Sequence, residues 1–283
     1  MPASVGYSVF RHLAAAFWPN RDPERCVFMV YGITAYYDAS SKEEVADRPM
    51  VVVGIAATVD QWERLERDWA SVLDEKHIEY FDSAACSAWK GTPYKNWARD
   101  HGIRDPLLVA LAEILKTAAI HVAVARIVPR DFDTVNREYV LDQDEHWPSC
   151  YPLLTHWCMR AVEVGLESSA FLTPGYKLAH LIEKGDTGQG VIQKLIDREA
   201  LPISIHRKWD KKTGDKVHAF AACDLLAFYA RKATEVELAR ERKKAPAVVG
   251  VLRQIPMTSA TFSVKTLTDW VEQLPDLYPR RSR

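Results

Sequence analysis

Asp38, Glu183 and Asp224 are the residues in this 283-residue chain whose types and settings suggest chemistry. Asp38 follows a short apolar climb in GITAYYDAS (residues 32–40) and is followed at once by small residues, as when a buried strand delivers a carboxylate to its C-terminal end. LAHLIEKGD (178–186) repeats the pattern and ends in Glu183 and Asp186. AACDLLAF (221–228) sets Asp224 inside an apolar run. Each acid has a structural alternative. Asp38 could turn the chain by bonding its own backbone, Glu183 could pair with Lys184 in a charged turn, and Asp224 could cap a helix. Together they suggest one edge of an α/β sheet, where strand ends bring distant residues into one crevice. Like charges so placed resist joint ionisation unless something positive lies between them. A hard divalent ion with oxygen ligands is the simplest such partner, and Mg²⁺ suits a few carboxylates plus water and phosphate. Carboxylates more than about 8–10 Å apart would defeat the idea, since paired metals stand about 4 Å apart.

The elements that must position these acids can be outlined from periodicity. A strand is expected within 26–37, and a second over 50–58, where MVVVGIAAT is apolar on both faces and so internal to a sheet. Thr58-Val-Asp-Gln61 has capping-box spacing for a helix, with Trp62, Leu65, Trp69, Val72 and Leu73 on its inner face. A brief strand is expected at 79–81, then an irregular segment to 97 and a helix from Asp105-Pro106 to about Ala118. Further strands are expected over 120–128, 176–184 and 203–207, and further helices over 148–164, 188–199, 221–244 and 261–274. The fold class is therefore α/β, a mixed sheet of about five strands flanked by helices, with helical insertions. Residues 1–25 form an N-terminal helical extension and 26–283 a single domain with a C-terminal helical elaboration.

Composition sets the bounds. Hydrophobic residues make up 48% and charged residues 27%, ordinary for a globular chain, and the formal net charge is −1. A nucleic-acid partner would therefore need a local basic face. No window reaches the roughly 18 apolar residues of a membrane span. Five cysteines without a CxxC pair fit reduced thiols in a cytoplasm. No GxSxG elbow and no zinc spacing stand out. Oligomeric state is not legible.

YYDAS (36–40), VVVGIAATVDQWERLERDWASVL (51–73), KGTPYKNW (90–97), LIEKGDTGQG (181–190) and AACDLLAFYARK (221–232) together resemble the DUF3800 family, a group placed with the RNase H-like fold. The resemblance spans about residues 31–232. It implies a divalent-metal-dependent nuclease, with Asp38, Glu183 and Asp224 as Mg²⁺ or Mn²⁺ ligands and Asp186 as an auxiliary ligand or water-orienting base. Its alternative is a non-catalytic member of the same fold that binds nucleic acid or protein. Two departures stand out. The family often writes Asp-Glu-Ser-Gly where this chain has Ala39 in the glutamate position and Ser41 in that of glycine, and a common histidine appears as Asp82. Ala39 is the feature that favours the non-catalytic alternative.

For DNA or RNA, two segments offer contacts. KGTPYKNW and the tryptophan before it interleave Trp89, Tyr94 and Trp97 with Lys90 and Lys95, the mixture of stacking faces and cations that a strand-tracking groove uses. The same aromatics could instead pack the loop down on itself. Arg207, Lys208, Lys211, Lys212 and Lys216 could form a basic face, or a solvated charge run. Gly185–Gly190 opens the 188–199 helix and could offer amides to a phosphate.

Overall fold

The computed structural model describes residues 32–40, 45–97, 100–141, 147, 149–169, 171, 178–183, 192, 203–208, 216–241 and 244–281. The 1–25 helix, Asp186, the Gly185–Gly190 turn, the 188–199 helix, Lys211 and Lys212 lie outside the described residues, as does the start of the 26–37 segment.

Among the described residues six strands form one mixed sheet: β1 (Ile33–Ser40), β2 (Met50–Thr58), β3 (His121–Ile127), β4 (Leu178–Glu183), β5 (Ile203–His206) and β6 (Met257–Phe262). Their order is β5-β4-β1-β2-β3-β6. β1–β2 and β2–β3 pair antiparallel, whereas β1–β4, β4–β5 and β3–β6 pair parallel. This is an α/β architecture consistent with the RNase H-like fold. The five strands expected around the acids are present. β6 is an additional edge strand, and the helix expected over 261–274 follows it at Val264–Glu272.

Strand alternation divides the core in two. Tyr36, Val51, Val53, Ile55 and Leu181 face one layer, while Tyr37, Val52, Ala56 and Ile182 face the other. The first layer, called the front here, contains α1 (Val59–Glu75), α2 (Ser83–Ala88), α3 (His101–Ala118), α6 (His218–Leu238) and α7 (Ala247–Leu252). The back contains α4 (Pro129–Glu138), α5 (Cys150–Ser168) and α8 (Val264–Glu272). Both faces of β2 are covered, which is why it reads as a continuous apolar run. Gly54 pairs with Tyr37 across β1 and β2, and a Cβ there would collide with the Tyr37 ring.

The capping box of α1 forms: Thr58 and Gln61 exchange hydrogen bonds between side chain and backbone. Trp62, Leu65, Trp69 and Leu73 are buried along one side of α1, and Trp62 Nε1 donates to Thr34 O at 2.9 Å. Burying each such side chain contributes roughly 1.5–3 kcal/mol. Several boundaries differ from expectation. Glu79–Phe81 is not a strand. α3 starts at His101, because the Asp100 side chain accepts from Gly102 N at 2.7 Å and supplies the cap, leaving Pro106 inside the helix.

Candidate functional site

Register places the first two acids. Tyr37 pairs with Ile182 on parallel strands, so Asp38 and Glu183, the next residues on each, stand side by side. Tyr36 and Leu181 face the front layer, and two-residue alternation sends Asp38 and Glu183 there as well. Adjacent strands lie about 4.8 Å apart, so the two carboxylates are close neighbours. Asp38 lies inside β1, two residues before its last, and not at its very end. Its Oδ1 also accepts from Ala39 N at 2.8 Å, so the local turn-like bond and the convergent placement coexist.

The third acid comes from the helix over the front face. α6 packs against β1, where Cys223 Sγ lies 3.3 Å from Tyr36 O. Asp224 is not an N-cap: the cap position is Val217, and Asp224 sits in the second turn. Asp224 Oδ2 accepts from Ser83 N at 2.9 Å, at the start of α2. One turn-pair further along α6, Arg231 Nε donates to Ser40 Oγ at 2.9 Å and fixes the helix to the end of β1.

All three acids meet Lys208. Its Nζ lies 2.8 Å from Asp38 Oδ2, 2.9 Å from Glu183 Oε2 and 3.9 Å from Asp224 Oδ1. With each oxygen that close to one atom, every pair falls inside the 8–10 Å limit set by metal spacing. Asp38 is only 1% exposed, while Glu183, Asp224 and Lys208 keep 19%, 20% and 22% of their side chains accessible. The cluster is therefore a half-closed pit with Asp38 at the bottom.

Electrostatics follow from that burial. Burial and the adjacent Asp38 raise the Glu183 carboxyl far above the usual carboxylate range, with Lys208 opposing. Burial raises Asp224 to about 6, against the pull of Lys208. Burial works against the Lys208 ammonium, but Asp38, Asp224 and Glu183 outweigh it and hold its proton more tightly than in a free lysine.

The donor set fits a hard cation: three carboxylates from separate segments point at one place, and Asp38 Oδ2 is buried without accepting a hydrogen bond of normal geometry. The acids are nevertheless spread around an ammonium at hydrogen-bond length, not drawn in to the 2.0–2.1 Å of magnesium–oxygen bonds. Accordingly, among the described residues, no three His, Cys, Asp or Glu side chains stand ready as an ion cage.

Other anticipated residues separate. Tyr94 is buried in the front core and its hydroxyl accepts from Asp82 N at 3.3 Å, so its ring is not open for stacking; the loop packs its own aromatic inward. Trp97 is half-buried against that core, whereas Lys90, Lys95 and Arg207 are exposed. Asp82 starts α2, its side chain accepting from Ala85 N at 2.6 Å. Lys208 leaves the expected basic face and turns into the acids. Ala39 packs toward the back layer, so a longer acid there would point away from Asp38.

Tyr80 is a site residue that periodicity did not reveal. Burial raises its phenol well above the usual range, and Lys208, Asp224, Asp38 and Glu183 all act on it. Its ring stacks on His218 at 6.1 Å. Its place before α2 follows from tertiary packing, and the nearest signal in sequence was the misassigned 79–81 strand. A separate cleft of about 620 Å³, lined partly by Arg104, Phe228, Tyr229 and Lys232, excludes the acids. No helix among the described residues is long and apolar enough to cross a membrane.

Comparison of the chain with protein-family models, with curated proteins and with solved structures finds no match in any of the three.

Proposed function

We propose that the chain is a divalent-metal-dependent nuclease of RNase H-like type, acting on DNA or RNA in the cytoplasm. Membership of the DUF3800 family is part of the same proposal and rests on the sequence motifs. The observation that carries it is the convergence of Asp38, Glu183 and Asp224, from β1, β4 and α6, on one cation. Asp38, Glu183 and Asp224 would hold Mg²⁺ or Mn²⁺. When bound, such an ion supplies an activated water and charge neutralisation for phosphodiester hydrolysis. Asp38 anchors the site from below, and Glu183 and Asp224 close it from the sides. Ser83 N–H orients Asp224 by its hydrogen bond. The Tyr80 phenol, held protonated, remains a hydroxyl donor beside the acids. Exposed Lys90 and Lys95 follow α2 in the chain, on the segment whose first N–H binds Asp224, and would steer a phosphate backbone toward the pit. Asp186 remains an auxiliary acid in this reading.

A second reading, a non-catalytic nucleic-acid- or protein-binding member of the fold, is favoured by Lys208, which already neutralises the acids. Ala39 no longer supports it, because its side chain faces the other layer. The deciding experiment incubates the protein with labelled single- and double-stranded DNA and RNA in Mg²⁺ or Mn²⁺. Metal-dependent cleavage is expected, abolished in Asp38→Asn. Equal cleavage by the variant sinks the assignment, and no cleavage of any substrate leaves the binding reading in its place.

A further inference from the structure

The cation already in the acid cluster belongs to the chain itself, and it obstructs any other. A divalent ion held by Asp38 and Glu183 would need carboxylate oxygens much closer than an ammonium does, at about 2.0–2.1 Å for Mg²⁺. The Lys208 ammonium lies between Asp38 Oδ2 and Glu183 Oε2 at 2.8 and 2.9 Å, so the two occupants exclude each other. We propose that Lys208 is a resident counter-cation: it holds Asp38, Glu183 and Asp224 together without metal and is displaced when a divalent ion binds. The inference rests on the metal-site reading given above.

Three features carry it. First, acids outnumber the base. Three acid side chains from separate segments turn on one ammonium, more oxygen donors than a structural ion pair needs and a set that a divalent ion could use. Second, Lys208 is built to swing. Its backbone is pinned, since Lys208 O accepts from Val217 N at 2.9 Å at the entrance to α6. Its four-carbon stem turns about several bonds, and 22% of the side chain already meets solvent. Displacement therefore needs a rotamer change and leaves the sheet undisturbed. Third, the lysine follows β5, whose His206 pairs with Glu183, so its position is tied to the strand that carries one of the acids.

The test is a Mn²⁺ titration, followed by electron paramagnetic resonance of the free ion, on wild type, Lys208→Gln, Lys208→Arg and Asp38→Asn, with melting temperatures taken with and without Mn²⁺. Lys208→Gln should bind Mn²⁺ at least about tenfold more tightly than wild type, equal to about 1.4 kcal/mol. Without metal it should melt lower than wild type, and it should gain more on adding Mn²⁺. Lys208→Arg, which keeps the charge, should bind no more tightly than wild type. Equal or weaker binding by Lys208→Gln, still abolished by Asp38→Asn, overturns the displacement and leaves the metal site standing. Absence of binding in wild type and Lys208→Gln alike overturns both. Should Lys208→Gln fail to fold, refolding in Mn²⁺ decides: rescue by Mn²⁺ but not by NaCl supports the proposal, and no rescue overturns it.

Discussion

Asp224 shows how one carboxylate can hold two duties. Its Oδ2 seats α2 through Ser83 N, and its Oδ1 faces Lys208. Asp224→Asn keeps an oxygen for Ser83 and removes the charge, so it separates the two. The fold should survive with little change in melting temperature, while Mn²⁺ affinity should fall by more than the about 10–100-fold that losing a ligand's supporting hydrogen bond costs. Wild-type affinity in this variant would reduce Asp224 to a docking residue for α2. The acids were legible in sequence because each is a charge inside an apolar segment, a local anomaly. Lys208 was not. In RKWDKK every cation looks alike, and the register of β5 against β4 is what brings Lys208 beside Glu183. Ala39 was misweighted for the same reason: adjacent strand residues face opposite layers, so a neighbour in sequence is not a neighbour in the site.

The elements are held in place by contacts that cross between them, and Glu66 is the clearest. It lies on α1 and is 2% exposed, yet its carboxylate accepts from His218 N at 3.0 Å and Ala219 N at 2.8 Å. Val217 supplies no side-chain cap, so Glu66 caps α6 from another helix and sets the helix that carries Asp224. Burial raises its pKa from 4.5 to about 7, with the two backbone N–H groups opposing. The folded-state value exceeds the unfolded one, so the folded protein binds this proton more tightly. Glu66 therefore contributes most below about pH 4.5, and that contribution is lost as pH rises through about 7. At pH 5 wild type carries the protonated carboxyl, which Glu66→Gln imitates, so the two should differ by less than about 1 kcal/mol. By pH 8 wild type must hold a buried charge or take the cost of losing the proton, and the variant should be the more stable of the two. Urea unfolding of both proteins at the two pH values checks this, and a variant that loses ground to wild type between pH 5 and pH 8 refutes it. In sequence, an acid beside Trp62, Leu65, Trp69 and Leu73 was the available signal, since it interrupts the buried stripe. α4 and β6 had weaker signals. PRDFDTVNRE is mostly polar, and β6 is exposed along much of its length, so it lacks the alternation that marks a half-buried strand.

At the scale of the molecule, the sheet is a partition. Among the described residues, Ser83 of α2 reaches Asp224 from the front layer, Lys208 reaches the acids from the end of β5, and α5 packs on the opposite face of the sheet. The α/β class, the internal position of β2 and the clustering of acids at one edge were legible because apolar runs and their spacing are properties of the whole chain. The order of strands was not, because pairing depends on contacts more than a hundred residues apart, such as Tyr37 with Ile182. The partition makes a prediction of its own. Tyr37 is adjacent to Asp38 in sequence but faces back, where its hydroxyl lies 2.9 Å from His180 Nδ1 and His180 Nε2 lies 3.6 Å from Glu163. Tyr37→Phe removes one hydroxyl from this buried chain and leaves the imidazole short of a partner, at a cost of about 1–3 kcal/mol. The urea midpoint should fall with an unchanged slope, because the surface exposed on unfolding stays the same. Mn²⁺ affinity should stay within about twofold of wild type, because nothing on the front face has moved, and contacts without shared partners act independently. If affinity fell together with stability, the layers would be coupled through β1, and Asp38 would depend on the back of the sheet as much as on its own pit.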